Sequence, residues 1–360
     1  MKAAVLAVVA ALTVLGMNRA PAHAATDAPG ALPQGIADPA GVTVSGVSSG
    51  GYMAVQMHVA HSASIAGAGV LAAGPYHCAG DNYPFNLLRA MNTCARMAEL
   101  VPFMGPPALP PSVEQTQTEA TRGRIDDPAH LRHARVYLFS GRLDEFVPQS
   151  VTDVLKAYYE TFVPPGDIAY VNNIRADHAM ISEDFGNPCD TSKDPYINDC
   201  DYDAAGALLT QLYGPLAPPG TAEPGAKRAL IRFDQTAFDP DAASHGLAAE
   251  GYAFIPDGCT GDRRCRLHVA FHGCRQYAGA VGDAFVAHAG YNDWAAANDI
   301  VVLYPQTTPL RRRLLGIALP WPNPLGCWDW WGFTGRDFDV KSGAQIGAVW
   351  AMVQRLTAGR

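Results

Sequence analysis

Two kinds of hydrophobic pattern alternate along this chain. Short, mostly apolar runs at residues 42–47, 65–74, 135–140 and 168–171 read as strands. The run 65–74 is apolar without alternation, as in a parallel strand covered on both faces. Between them the apolar side chains fall at helical spacing: residues 52–61, 84–100 with Phe85, Leu88, Met91 and Met97, and a helix starting at Pro148 with Val151, Val154, Leu155 and Tyr158. The second half repeats the alternation. Strands are expected at 229–233, 251–255, 267–271 and 300–304, and helices at 285–298 and 341–356, the last with Ile346, Val349, Trp350 and Val353 on one stripe. Strand and helix in turn predict an α/β fold with a mostly parallel central sheet and helices on both faces. Residues 102–111 read as a proline-rich surface loop. The stretch 215–227 reads as a surface connection within one domain rather than a linker between two, because the second half does not look complete by itself.

The N-terminal pattern is of another kind. Lys2, an apolar run over residues 3–17 and Ala22-His23-Ala24 make a signal peptide over residues 1–24, too short in its apolar part to span a membrane. Residues 25–360 then read as a single domain, exported to the periplasm or the medium. Removing Lys2 and Arg19 with that segment takes the formal charge from −8 to −10. Such a balance argues against nucleic acid or an anionic membrane surface as partner and suits a neutral substrate. A monomer is expected. Export also gives the 8 cysteines a reason. Cys78 and Cys94, Cys189 and Cys200, and Cys259 and Cys265 are near neighbours, so local disulfides are the simplest pairing. No Cys-x-x-Cys or His/Cys ligand spacing occurs, and neither metal nor cofactor is expected.

Candidate chemistry centres on Gly46-Val47-Ser48-Ser49-Gly50. A β-branched strand runs into it and a helical pattern follows, which is the nucleophile-elbow arrangement. Ser49 lacks a glycine two residues before it, so Ser48 is the expected nucleophile. On this sheet type the acid and the histidine follow the serine, each on a loop after a strand. Asp144 follows the strand 135–140 and His178 follows the strand 168–171, which puts both at the sheet edge that carries Ser48. Glu145 and Asp177 compete for the acid role. Asp177 adjoins His178, however, and adjacent side chains rarely meet with triad geometry. Of the 11 histidines only His178 has the right order and the right kind of loop.

The oxyanion hole needs two backbone N–H groups. One is that of Ser49, after the nucleophile. The other ordinarily comes from a His-Gly loop after a strand upstream of the serine, and no such strand fits between residue 24 and residue 42. The suitable segment is Phe271-His272-Gly273-Cys274, far downstream. The Cys274 amide is therefore the expected second donor, and the chain reads as circularly permuted.

Together, Ser45-Gly46-Val47-Ser48-Ser49-Gly50-Gly51-Tyr52-Met53, Leu143-Asp144-Glu145-Phe146-Val147-Pro148, Asp177-His178, the run from His268 to Cys274 and Gly326-Cys327-Trp328-Asp329-Trp330-Trp331 resemble the single-domain, circularly permuted poly(3-hydroxybutyrate) depolymerases. The resemblance covers nearly all of residues 25–360, so these are expected to be one catalytic domain with no separate polymer-binding domain of the kind many such depolymerases carry. It implies an α/β-hydrolase fold, Ser48, Asp144 and His178 as triad, and the Ser49 and Cys274 amides as oxyanion hole. It also suggests a Cys274–Cys327 disulfide. The substrate it implies is a neutral polyester or oligoester, held against an apolar wall for which Trp330, Trp331 and Trp328 are the candidate rings. The same rings would also suit the core. Two other readings compete: a carbohydrate esterase of feruloyl or acetyl-xylan type, whose Cys-Trp segments are similar but in unpermuted order, and a non-catalytic polymer-binding protein.

Overall fold

The computed structural model describes residues 29–81, 85–96, 102–220, 228–259, 264–314 and 317–359. The expected signal peptide lies outside the described residues.

Eight strands form the central sheet among these residues: β1 (Ala37–Val47), β2 (Ile65–Leu71), β3 (Arg135–Phe139), β4 (Ile168–Val171), β5 (Arg228–Asp234), β6 (Glu250–Pro256), β7 (Cys265–Phe271) and β8 (Ile300–Tyr304), in the spatial order β4-β3-β2-β1-β7-β8-β6-β5. The pairings from β4 through β8 are parallel; β6 runs antiparallel to both β8 and β5. The strands that precede and follow residues 215–227 thus share one sheet. The described part of that stretch is tied back by a reciprocal pair of hydrogen bonds between the Ala217 backbone and the Asn298 amide, both 2.8 Å; residues 221–227 lie outside the described residues.

The period-2 rule explains why these runs are apolar throughout. Val136 and Leu138 of β3 face one layer, while Tyr137 and Phe139 face the other; Val301 and Leu303 of β8 alternate with Ile300, Val302 and Tyr304 in the same way. The first layer is closed by helices α1 (Ser49–Ala60), α3 (Gln149–Glu160) and α6 (Ala344–Thr357). The second is closed by α4 (Ala204–Tyr213) and α5 (Tyr291–Asn298). Glycines in β2 let α4 approach: a Cβ on Gly69 would lie 2.2 Å from Leu208 Cδ1.

Local structure departs from the sequence pattern in three places. The helix expected over 84–100 is one short turn, Phe85–Arg89, that widens into a π-helical turn at Ala90–Cys94; residues 84 and 97–100 lie outside the described residues. The proline-rich loop ends earlier than its composition suggests, since α2 (Leu109–Thr121) takes Pro110 and Pro111 into its first turn, where proline's missing N–H costs nothing. The helix expected at 285–298 is broken into Ala284–His288 and α5, with Gly290 in the left-handed region (φ 89°) between them. Beyond the sheet, three short strands and a two-stranded hairpin make separate small sheets that the hydrophobic pattern does not announce.

Four disulfides bond Cys78 to Cys94, Cys189 to Cys200, Cys259 to Cys265 and Cys274 to Cys327. Among the described residues no helix is long and apolar enough to cross a membrane.

Candidate active site

Parallel strands send their carboxyl ends to one edge, and the loops that leave that edge carry the reactive groups. β1 ends in the turn at Ser48, whose backbone sits at φ 57° and ψ −124°, a sparsely populated conformation for a residue with a side chain. The turn is held by Ser48 N–H donating to Leu71 O at 2.9 Å and by Tyr52 N–H donating to Ser48 O at 3.0 Å. It closes this tightly only because its flanks are glycine. A Cβ on Gly46 would lie 2.2 Å from Gly50 O, and one on Gly50 would lie 2.3 Å from Phe271 O. The second contact is also what brings the end of β7 against the start of α1.

The loop after β3 brings Asp144 and the loop after β4 brings His178 to the same place. His178 Nε2 is 2.9 Å from Ser48 Oγ, and His178 Nδ1 is 2.7 Å from Asp144 Oδ2. Asp144 is buried, and its other carboxylate oxygen accepts from Val147 N at 2.8 Å. Burial disfavours the imidazolium, but the charge and hydrogen bond of Asp144, with Asp177 behind it, outweigh burial and hold His178 above its ordinary pKa. The competing acids are occupied elsewhere: Asp177 caps the His178 amide at 2.7 Å, and exposed Glu145 pairs with Arg96. The other histidines near the sheet are neutral fixtures. His268 is lowered to about 3 by burial and lies between Thr43 and Ser45. His272 is lowered to about 4, chiefly by burial; its Nδ1–H donates to Gly273 O and its Nε2 accepts from Thr307 N.

The two amides expected to form an oxyanion hole belong to Ser49, next to the serine in the chain, and to Cys274, which lines the same cavity as Ser48. Ser49 opens α1, so its N–H has no acceptor within the helix. In the turn after β7, Gly273 N–H donates to Gln276 Oε1 (2.7 Å), Arg275 N–H to Leu325 O (2.8 Å) and Gln276 N–H to Gly273 O (3.2 Å). Among the described residues the Cys274 N–H between them has no protein acceptor. Gly273 packs directly beside Ser48, where a Cβ on it would be 3.4 Å from the serine Cβ. Gln276 Nε2 donates to Tyr196 O at 2.7 Å, so one side chain both shapes the turn and fastens it to the neighbouring segment. The Cys274–Cys327 bond fastens its other side.

Only part of the tryptophan cluster reaches this site. Trp330 lines the cavity beside Ser48 and stacks on Tyr52, with centroids 4.1 Å apart and planes within 10°. Trp328 does not line it: fully buried, it packs edge-on against Phe271 and beside His272. Nor does Trp331, whose ring meets Trp330 edge to face and packs against Phe333. Asp329 holds the segment. Its carboxylate accepts from the amides of Gly332, Phe333 and Thr334 and from the Thr334 hydroxyl, and burial raises its pKa to about 6. The Trp328 amide donates to Ser49 Oγ at 3.3 Å, so Ser49 carries a structural bond through its side chain as well.

The cavity, about 210 Å³, is otherwise lined by groups the sequence reading did not single out, among them Tyr52, Phe146, Tyr196, Arg275, Gln276 and Leu325. Phe146 follows Asp144 by two residues and leans over His178 at 5.3 Å, a position that adjacency could have suggested. Leu325 and Tyr196 come from distant loops, and no pattern in the chain marks them. The walls are largely apolar. Among the described residues the grouping with metal-ligand proximity is Cys259, Cys265 and Asp299, and its two cysteines are bonded to each other.

A serine hydroxyl hydrogen-bonded to an imidazole that a buried carboxylate orients in turn can perform acyl transfer. No profile of a known protein family matches the chain. It is 41% identical over 355 residues to a poly(3-hydroxybutyrate) depolymerase of Delftia acidovorans, covering 97% of this chain and 65% of that protein. It is 34% identical over 337 residues to a polyhydroxybutyrate depolymerase of Talaromyces funiculosus, covering 91% of this chain and 93% of that one. The fold matches the crystal structure of a PHB depolymerase from Penicillium funiculosum with a TM-score of 0.78 at 33% identity, over 91% of this chain and 99% of that chain. A serine-to-alanine PHB depolymerase variant complexed with an R3HB trimer matches at 0.79 with the same identity and coverage. On this likeness of sequence and fold, the chain belongs to the poly(3-hydroxybutyrate) depolymerase family, with an α/β-hydrolase fold.

Proposed function

We propose that this chain is a serine esterase that hydrolyses the ester bonds of poly(3-hydroxybutyrate) or its oligomers through an acyl-enzyme on Ser48. One observation carries the reading: the unbroken hydrogen-bonded series Ser48–His178–Asp144, with distances of 2.9 and 2.7 Å, opening into an apolar cavity. His178 takes the proton of Ser48 Oγ as the bond to the ester carbonyl forms. The developing oxyanion is received by the Ser49 and Cys274 amides. His178 then protonates the leaving alcohol. Water, deprotonated by the same imidazole, releases the acid portion and restores Ser48. Asp144 stays ionised and stabilises the imidazolium formed in both halves. Trp330 and Tyr52 supply a flat apolar wall for a methyl-bearing chain that offers few donors.

The order of the parts supports reading the chain as circularly permuted. The strand carrying the oxyanion loop, β7, follows the serine strand β1 by more than half of the chain yet lies directly beside it. Export is supported by the four disulfides and the pattern of residues 1–24.

A product assay tests the reading. The chain should release 3-hydroxybutyrate or its short oligomers from amorphous poly(3-hydroxybutyrate), and little ferulate or acetate from decorated xylan. Release from xylan alone would replace the polyester assignment with that of a carbohydrate esterase.

A further inference from the structure

The proposed substrate is neutral along its length, and the residues lining the cavity are mostly uncharged. Apart from the titratable His178, Arg275 is the exception. It lines the cavity, immediately follows the Cys274 amide, and is exposed. Among the described residues it pairs with no carboxylate; its side-chain hydrogen bond is to the Tyr196 hydroxyl at 3.2 Å. Unpaired arginines on a surface are ordinary, but this one is held with unusual care. Its backbone is in the left-handed region at φ 63°, which a residue with a Cβ adopts at a cost. Its amide is bound to Leu325 O at 2.8 Å, and the preceding residue is tied by disulfide to Cys327. The conformation that supplies the Cys274 amide therefore also fixes where Arg275 starts. The chain as a whole carries a formal charge of −8, so an unpaired cation here stands against the general field.

A hydroxyalkanoate polyester has one charged group, the carboxylate at its acid end. Along such a chain that end always lies on the alcohol side of any ester bond. It therefore belongs to the leaving group and not to the acyl part that stays on Ser48. We infer that Arg275 is a specificity-determining residue that binds the terminal carboxylate of an oligoester, so that the enzyme cuts near free carboxyl ends in preference to the chain interior. This rests on the esterase reading above. In the step concerned, the bond from Ser48 Oγ to the carbonyl carbon forms and the carbon–alkoxide bond breaks. The proton on His178 passes to the alkoxide oxygen. A hydroxy acid leaves with its carboxylate still ionised and held at the guanidinium until release. A guanidinium suits this role, since its planar fork meets both carboxylate oxygens.

The test compares a linear 3-hydroxybutyrate trimer bearing a free carboxylate with the same trimer as its terminal methyl ester. The wild type should favour the free acid by about tenfold in kcat/KM, the scale of one charge-assisted hydrogen bond in a partly open site. Raising the salt concentration should shrink that ratio. In Arg275→Gln the ratio should fall toward one, and Arg275→Lys should retain part of it. Damage to the oxyanion turn would slow both substrates by a common factor and leave the ratio standing, which would overturn the proposal. So would a wild type that cuts both trimers equally well. Failure to cut either would instead remove the esterase reading on which the proposal depends.

Discussion

At the scale of single residues, the account turns on the electrostatics around one imidazole. Asp144 and Asp177 hold His178 above its ordinary pKa of 6.5 against the opposing effect of burial. A general base works in its neutral form, so activity should be lost as pH falls through that raised value. The acid limb of kcat/KM should accordingly show an apparent pKa above 6.5. Asp144→Asn removes the charge and leaves the burial. The midpoint of whatever activity remains should move to lower pH, and kcat should fall by about 10⁴, as expected when the imidazole loses its orienting anion. A pH–rate profile of both proteins checks the two shifts together. The tryptophans separate at this scale too. Trp328 is fully enclosed between Phe271 and His272, so Trp328→Ala should cost about 3–5 kcal/mol in denaturant unfolding. Sequence could name the Trp cluster but not sort it, since all three rings have similar apolar surroundings in the chain and only the path of the segment decides which one turns toward Ser48.

At the scale of elements, the turn after β7, proposed to present the Cys274 amide to the oxyanion, rests on three supports. Its shape comes from Gln276, its position from the close approach of Gly50 to β7, and its far side from the Cys274–Cys327 bond. That bond closes a sequence separation of 53 residues, which in the chain-entropy treatment is a stabilisation of about 4 kcal/mol. Cys327→Ser should lower stability by up to that amount. Because it frees the turn that carries one of the two proposed oxyanion donors, it should also reduce kcat toward the loss of about 10²–10³ typical of one missing donor, with a smaller change in KM. Kinetics measured well below the variant's melting temperature distinguish the two effects. The elements themselves were largely legible. The strands at 65–71, 135–139 and 300–304 are apolar because both faces are covered, and burial of that kind leaves a plain mark in sequence. The helix at Leu109–Thr121 was hidden because prolines at its start read as breakers, although a first turn tolerates them. The break at Gly290 was hidden because a lone glycine inside a helical pattern does not announce a left-handed backbone.

At the scale of the whole molecule, residues far apart in sequence meet at one sheet edge: Ser48 after β1, Asp144 after β3, His178 after β4 and Cys274 after β7. The meeting of Ser48, Asp144 and His178 could be read from order alone, since each follows its own strand. The Gln276 bridge to Tyr196, the Tyr52–Trp330 stack and the placement of Arg275 could not, because they depend on loops whose meeting no periodicity encodes. The central claim is that this convergence makes Ser48 an activated nucleophile. Treatment with a fluorophosphonate ester, followed by peptide mapping, tests it most directly. One adduct is expected on the peptide containing Ser48, formed in step with complete loss of oligoester hydrolysis and absent in Ser48→Ala. No adduct on the wild type, an adduct on another serine, or hydrolysis that survives stoichiometric labelling of Ser48 would contradict it.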